Sequence, residues 1–490
     1  MPHTLRSVIP RARRARAALL ACVVSGCLIA AGAPAPAKPL GIGDRLYPTL
    51  GNPGYDVLSY DLSFTYPGSN SKPLTAVTRI RARATQRLES VNLDFAHGKV
   101  ASVDVNGAAA NFTTAGEDLV ITPSAPLPAG GLLVITVRHT SDPRPEKGRE
   151  GGWVQTDDGL VMANQADAAH VVFPCNDHPS DKAQFTFHVT APDGYTAVAN
   201  GLPVDTRHSG GATTWSYRTQ HPMATELAQV SIGRTAVVQR RGPYGLPLRD
   251  VVPAKDAAEL EPWLAKTPDQ IAWMEKKVGP YPFETYGLLI ARARTGFELE
   301  TQTLSLFEKD VFGNPAYPRW YVESIMVHEL SHQWFGDSIS PRTWSDVWLN
   351  EGHATWYEAL YAEETAHRPM EARMKAAYGL SDRWRVTGGP PAAPEPPRPG
   401  QKIAIFRPSV YDGAALVLYA LRQEIGRPAF ERLERAWASL HRDGTSTTAD
   451  FEELASRTAG RDLSAFFQGW LYGRKTPPMP GHPDWQSNPV

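Results

Sequence analysis

Disulfide bonds are nearly excluded by scarcity. Three cysteines serve 490 residues, and two of them, Cys22 and Cys27, lie in the N-terminal apolar run. Without that run Cys175 stands alone, and no intramolecular disulfide can form. An excess of either charge is also missing. The 50 Lys and Arg against 51 Asp and Glu leave a formal net charge of -1, so the one-signed field expected of a nucleic-acid or anionic-membrane binder is excluded. Beyond the N-terminus no run approaches about 18 apolar residues, so no transmembrane helix is expected, and no internal repeat is visible. What is present is a chain 42% hydrophobic and 9% aromatic. That is enough to bury real cores in several domains, with a small molecule or peptide as the expected partner.

The N-terminus, "MPHTLRSVIPRARRARAALLACVVSGCLIAAGAPAPAK", joins an arginine-rich start to an apolar stretch and then small residues, as a secretory signal peptide does. Two cleavage points offer themselves. "APA" before Lys38 ends a signal peptide over residues 1–37 and predicts a secreted, extracellular protein. "VSGC" resembles a bacterial lipobox, with residues 1–26 removed, a lipid anchor on Cys27 and a cell-surface lipoprotein as the alternative.

Short period-two runs broken by Gly, Pro and Asn ("YDVLSYDLSFTY", "LLVITVRHT", "AQFTFHVTAPDGYTAVANG") predict an antiparallel β domain over residues 45–245. The texture then changes. "DAAELEPWLAKTPDQIAWMEKKVG" has helical spacing, "YGLLIARA" and "LETQTLSLF" read as strands, and "RWYVESIMVHELSHQWFG" resumes the 3.6-residue period. Residues 246–476 are expected to form a mixed α/β domain that turns mainly helical, with 477–490 as a tail, so the fold class is α+β. Thr448 is the expected N-cap and Gly460 the stop of one late helix, and the Pro- and Gly-rich residues 387–401 are expected to form an exposed loop.

The chemistry lies in "HELSH". On a helix, residues four apart share a face, so His328 and His332 can reach one cation while Glu329 projects beside it. A random HExxH arises in roughly one chain in fifty of this composition, and its bland reading is a core helix with two satisfied histidines. Against that stands "WLNEGHATWYE". Its Glu351 follows His332 after eighteen residues on the next apolar-periodic segment, where an antiparallel helix returns a carboxylate to the same ion. Two imidazoles and a carboxylate suit Zn²⁺ with an open catalytic position, one ion per chain.

"VHELSHQWFGD" with "WLNEGHATWYE" resembles the gluzincin zinc metallopeptidases of the aminopeptidase N and leukotriene hydrolase group, and "QADAAHVVFPCNDHPSDKAQFTF" and "SVYDGAALVLYALR" extend the likeness. The resemblance implies a saddle-like β domain on a thermolysin-like catalytic domain. It implies His328, His332 and Glu351 as zinc ligands, Glu329 as general base towards a zinc-activated water, and Tyr411 as donor to the oxyanion. Asp346 is then either a partner behind the ligands or a helix cap.

Several residues depart from the family pattern. Its exopeptidase signature ends methionine, glutamate, asparagine, whereas this chain has "GFELETQT". With Leu299 at the methionine, Glu300 falls on the amine-binding glutamate, Thr301 on the asparagine, and Gly296 one position early. The other register makes Glu298 the functional acid. Gln165 and Asp167 of "MANQADAAH" fall on the family's glutamine and second amine-binding acid. Cys175 and His178 read as part of a turn before a metal pair, and His353 as a packing or surface residue. Many relatives continue into a helical C-terminal domain over the cleft, so a more open site is expected here.

The leading functional expectation is a secreted zinc aminopeptidase acting on peptide substrates. An endopeptidase or an epoxide or small-molecule hydrolase on the same site is the enzymatic alternative. A catalytically silent binding protein is the other, and the presence of both Glu329 and Tyr411 argues against it.

Overall fold

The structure, a computed structural model, describes residues 39–146, 150–398 and 402–488. The expected signal segment, with Cys22 and Cys27, lies outside the described residues. The fold is α+β, with most strands before residue 254 and most helices after it.

Alternation builds the first half. In Leu74–Ala84, every second residue from Leu74 is buried, which requires a strand with one face on a core. This strand pairs with Tyr55–Thr65 and Leu132–Ser141 inside an eight-stranded sheet. The sheet is not wholly antiparallel. Tyr55–Thr65 and Gln184–Pro192 run parallel, because a long stretch of chain rather than a hairpin joins them. Tyr60, Phe173 and Phe185 lie in the core beneath.

A four-stranded sheet leads into the second half. Thr235–Arg241 and Pro247–Pro253 form a hairpin whose turn contains the expected boundary at 245/246, and Leu288–Ala291 and Ser305–Glu308 add in parallel. The helices of eight residues or more are α1 (Ala257–Leu264), α2 (Thr267–Val278), α3 (Arg319–His332), α4 (Trp348–Ala366), α5 (Met370–Gly388), α6 (Asp412–Ile425), α7 (Arg427–Leu440) and α8 (Thr448–Ala459). They enclose a second core around Trp348, Trp437 and Phe451. A small third cluster joins Leu46, Tyr47 and Ala166 to Trp344, Val347 and Val410, with Tyr411 packed on it. None of the helices among the described residues is long and apolar enough to cross a membrane.

Four local expectations need correction. The single helix expected near 256–279 is two, α1 and α2, with Pro268 in the first turn of the second. "LETQTLSLF" is a strand only from Ser305. Before it the chain turns through Thr303 at φ 68, and Leu299 makes one bridge to Leu306. The cap of α8 is Thr447, whose side chain and that of Asp450 form a capping box, so Thr448 is already helical; Gly460 ends α8 at φ 68 as expected. Of the expected loop at 387–401, Gly388, Gly389, Pro391, Ala392 and Pro394 are buried, because Gly389 turns the chain inward and Arg45 bonds the Pro394 carbonyl.

Candidate active site

Helix α3 carries His328, Glu329 and His332 on its last turn, and α4 carries Glu351 on its first turn. Two glycines make this assembly possible. Gly336, at φ +135, turns the chain where a Cβ would stand 3.2 Å from Asn350 and 3.3 Å from His332 Nδ1. Gly352 lets α4 touch α6, since a Cβ there would meet Ala414 Cβ at 2.8 Å. That close approach brings the start of α6, and with it Tyr411, to the ligands.

His328 Nε2 and His332 Nε2 each lie 3.4 Å from Glu351 Oε2. Their far nitrogens are engaged. His328 Nδ1 meets Glu358 Oε2 at 3.2 Å and His332 Nδ1 meets the Phe335 carbonyl at 3.1 Å. Those acceptors set the tautomers, leaving lone pairs on both Nε2 atoms facing a carboxylate oxygen that has no hydrogen-bond donor. Three electron-rich atoms converging without a proton between them are a cation's donor set. The candidate ligand atoms of His328, His332 and Glu351 lie within 4.8 Å of one another, so the residues fit a zinc ion.

The electrostatics agree. Burial opposes charge on His328, yet in the absence of a cation the adjacent Glu351 and Glu358 carboxylates push it up to about 9. Burial likewise works against the carboxylates, but His332 and His328 hold Glu351 down to about 2, and Arg373 and His328 hold Glu358 to about 2. The pocket thus attracts positive charge strongly. Arg373 pairs with Glu358 at 2.7 Å and Asp412 at 2.7 Å, bracing the carboxylate behind His328. Glu329 is buried with Oε2 unpartnered, and burial raises it to about 8. The Tyr411 ring stacks on His328 with centroids 6.1 Å apart, and burial followed by the field of Glu351 keeps its phenol protonated.

On the His332 side lies a closed acidic end. Glu300 is buried, accepts a 2.6 Å bond from Gln165 Nε2, and falls in one cluster with Glu329 and His332. Gln333 positions it, donating to the Glu300 carbonyl at 3.0 Å and to Asp337 at 2.7 Å while accepting from Thr303 N. Another carboxylate of this end is Glu226, buried with one oxygen unpartnered and raised by burial and then by Glu300. Asp167, expected in that place, is buried within range of the Tyr47 phenol. Glu226 was missed because one acid in "MATELAQVS" carries no periodic signal; its presence inside an apolar run was the only hint. Glu298 lies elsewhere, half-buried in the wall of a cavity of about 630 Å³ that also borders His328, Glu329 and Tyr411.

The remaining readings resolve simply. Asp346 is a cap, bonding Thr343 in a capping box and reaching Thr448 N at 2.8 Å. His353 is fully buried rather than at the surface, stacked on Phe335 with centroids 4.4 Å apart, because its position on α4 faces the core. Cys175 is a buried free thiol, and His178 bonds Asp44 and Ser180; neither belongs to a candidate metal cluster among the described residues.

The sequence matches the Peptidase family M1 domain over residues 264–470 and the Peptidase M1 N-terminal domain over residues 158–227. It is 22% identical over 432 residues to an aminopeptidase N of Streptomyces lividans, covering 84% of this chain and 50% of that protein. It is 27% identical over 304 residues to an aminopeptidase N of Rattus norvegicus, covering 55% of this chain and 30% of that one. The chain therefore spans half or less of the length of these relatives. A crystal structure of an M1 zinc metallopeptidase from Deinococcus radiodurans superposes with a TM-score of 0.76 at 26% identity, over 90% of this chain and 99% of that one. A mutant of that enzyme bound to a Tyr-Ser-Ala substrate superposes with a TM-score of 0.77 at 27% identity. Both halves of the fold and the arrangement of the ligand helices lead to one conclusion: this chain belongs to the M1 family of zinc metallopeptidases.

Proposed function

We propose that the protein is a zinc-dependent aminopeptidase that removes N-terminal residues from peptides, and that it is exported by the N-terminal signal segment, as a secreted protein or, with Cys27 lipidated, at the cell surface. The observation that carries the reading is the placement of a closed carboxylate end beside the donor set of His328, His332 and Glu351. Those three residues would hold the zinc ion. Bound there, zinc supplies Lewis acidity, polarising a carbonyl and acidifying water.

The chain's own groups do the rest. Glu300, backed by Gln165, accepts the substrate's α-ammonium and sets which peptide bond lies over Glu329. Glu329 Oε2, free of any other donor, takes the proton of the attacking water and returns it to the leaving amine nitrogen. The Tyr411 hydroxyl donates to the carbonyl oxygen as it gains negative charge. Water attack breaks the C–N bond, giving a free amino acid and a peptide shortened by one residue.

The test is metal analysis with turnover. Purified protein is expected to hold near one equivalent of zinc and to cleave aminoacyl amides. Chelation should abolish cleavage and zinc should restore it. Full activity in zinc-free protein would contradict the reading.

A further inference from the structure

Glu298 is not used by the chemistry above, yet it lines the same cavity as Glu329 and Tyr411. The cavity borders His328, whereas Glu300 and Gln165 close the site on the His332 side. A peptide whose amine sits at Glu300 and whose first carbonyl lies over Glu329 must send its second residue into this cavity.

The wall has two characters. Phe297, Trp320, Tyr321, Ile325 and Met370 form an apolar and aromatic surface. Set in it, Glu298 forms no ion pair among the described residues, while the wall's other carboxylates outside the catalytic machinery, Glu358 and Asp412, are both held by Arg373. Burial and the neighbouring Glu308 push Glu298 up to about 7, as for a carboxylate lacking a counter-ion, and its charge reaches the Tyr321 phenol. A long aliphatic stem ending in a cation satisfies both features, the stem on the rings and the cation on the carboxylate. A second carboxylate is repelled by Glu298, and of the two arginines in the wall Arg373 is already paired with Glu358 and Asp412 while Arg368 lies over the Trp320 ring at 4.7 Å.

We propose that Glu298 makes this cavity selective for a basic residue, lysine or arginine, immediately after the scissile bond. The proposal rests on the aminopeptidase reading, and its tests separate the two.

The first test compares kcat/KM for tripeptides Ala-X-Ala with X as Lys, Arg, norleucine or Glu, in the wild type, Glu298→Gln and Glu298→Lys. The Lys-to-Glu ratio is internal to each preparation, so a general loss of activity does not affect it. In the wild type it should be about tenfold or more. Glu298→Gln should bring it to within about threefold of unity, and Glu298→Lys should invert it. A wild-type ratio near one, or a preference surviving in Glu298→Gln, overturns the proposal. Equal loss on all four peptides also overturns it, since Glu298 would then act only on the reaction centre.

The second test needs no turnover. Titration calorimetry with N-acetyl-lysinamide and N-acetyl-norleucinamide should show tighter binding of the lysine ligand to the wild type, lost in Glu298→Gln. Equal affinities overturn the proposal even if the protein cleaves no peptide, whereas failure on aminoacyl amides alone sinks only the aminopeptidase reading.

Discussion

The two sides of the ligand triad differ in almost every physical respect. On the His332 side, Glu300, Glu226 and Asp337 are all buried, with Glu300 held by Gln165 and Asp337 by Gln333. On the His328 side, Glu358 and Asp412 are braced by Arg373, Glu298 is not, and the space opens into a cavity of about 630 Å³. A symmetric cleft would let a peptide bind across the metal in many registers. An end walled by carboxylates and an end that is open would favour one direction, with the amine first, as the proposed function requires. The difference teaches that, on the proposed reading, a preference for the N-terminus would come from burial on one side rather than from any special group at the reaction centre.

Substitutions at the boundary between the two sides should have the largest effects. Glu329→Gln is expected to keep zinc near one equivalent while kcat falls by roughly a thousandfold, within the usual range for a lost general base; steady-state kinetics beside metal analysis checks both. Tyr411→Phe should lower kcat by about a hundredfold with KM nearly unchanged, because its bond strengthens only as charge develops. A change confined to KM would make Tyr411 a wall of the pocket.

The open side should respond through the metal. Glu358→Gln leaves Arg373 paired with Asp412 but weakens the acceptor behind His328 Nδ1. Zinc affinity should fall by about 10- to 100-fold, as measured by competition with a chelator, while affinity for the substrate amine stays as it was. Unchanged zinc affinity would remove Glu358 from the account.

How much of this was legible depended on where the partners lie in the chain. His328, Glu329 and His332 share one helical turn, and Glu351 follows on the next helix, so spacing alone brought them together. The β-rich first half was equally legible, because strands such as Leu74–Ala84 alternate along their whole length. Glu226, Gln333 and Glu358 were not. Each gains its meaning from a contact made by distant segments, such as the 3.0 Å bond from Gln333 to the Glu300 carbonyl. Asp167 was chosen for the second acid because it follows Gln165 closely, yet the fold puts Glu226 against Glu300 from a separate segment. The buried residues between Gly388 and Pro394 escaped for the opposite reason: the composition of the stretch is that of a surface loop, while Gly389 and the reach of Arg45 draw it inward.

The claim on which all of this turns is that the carboxylate end selects a free α-amine. It is tested most directly by kcat/KM for one peptide in free and N-acetylated form, in the wild type and in Glu300→Ala. The wild type should cleave the free peptide far better. Glu300→Ala should lose roughly 30- to 150-fold on it, as follows from about 2–3 kcal/mol for one net carboxylate–ammonium contact, and should lose far less on the acetylated peptide. Equal wild-type rates on the two peptides would contradict the account.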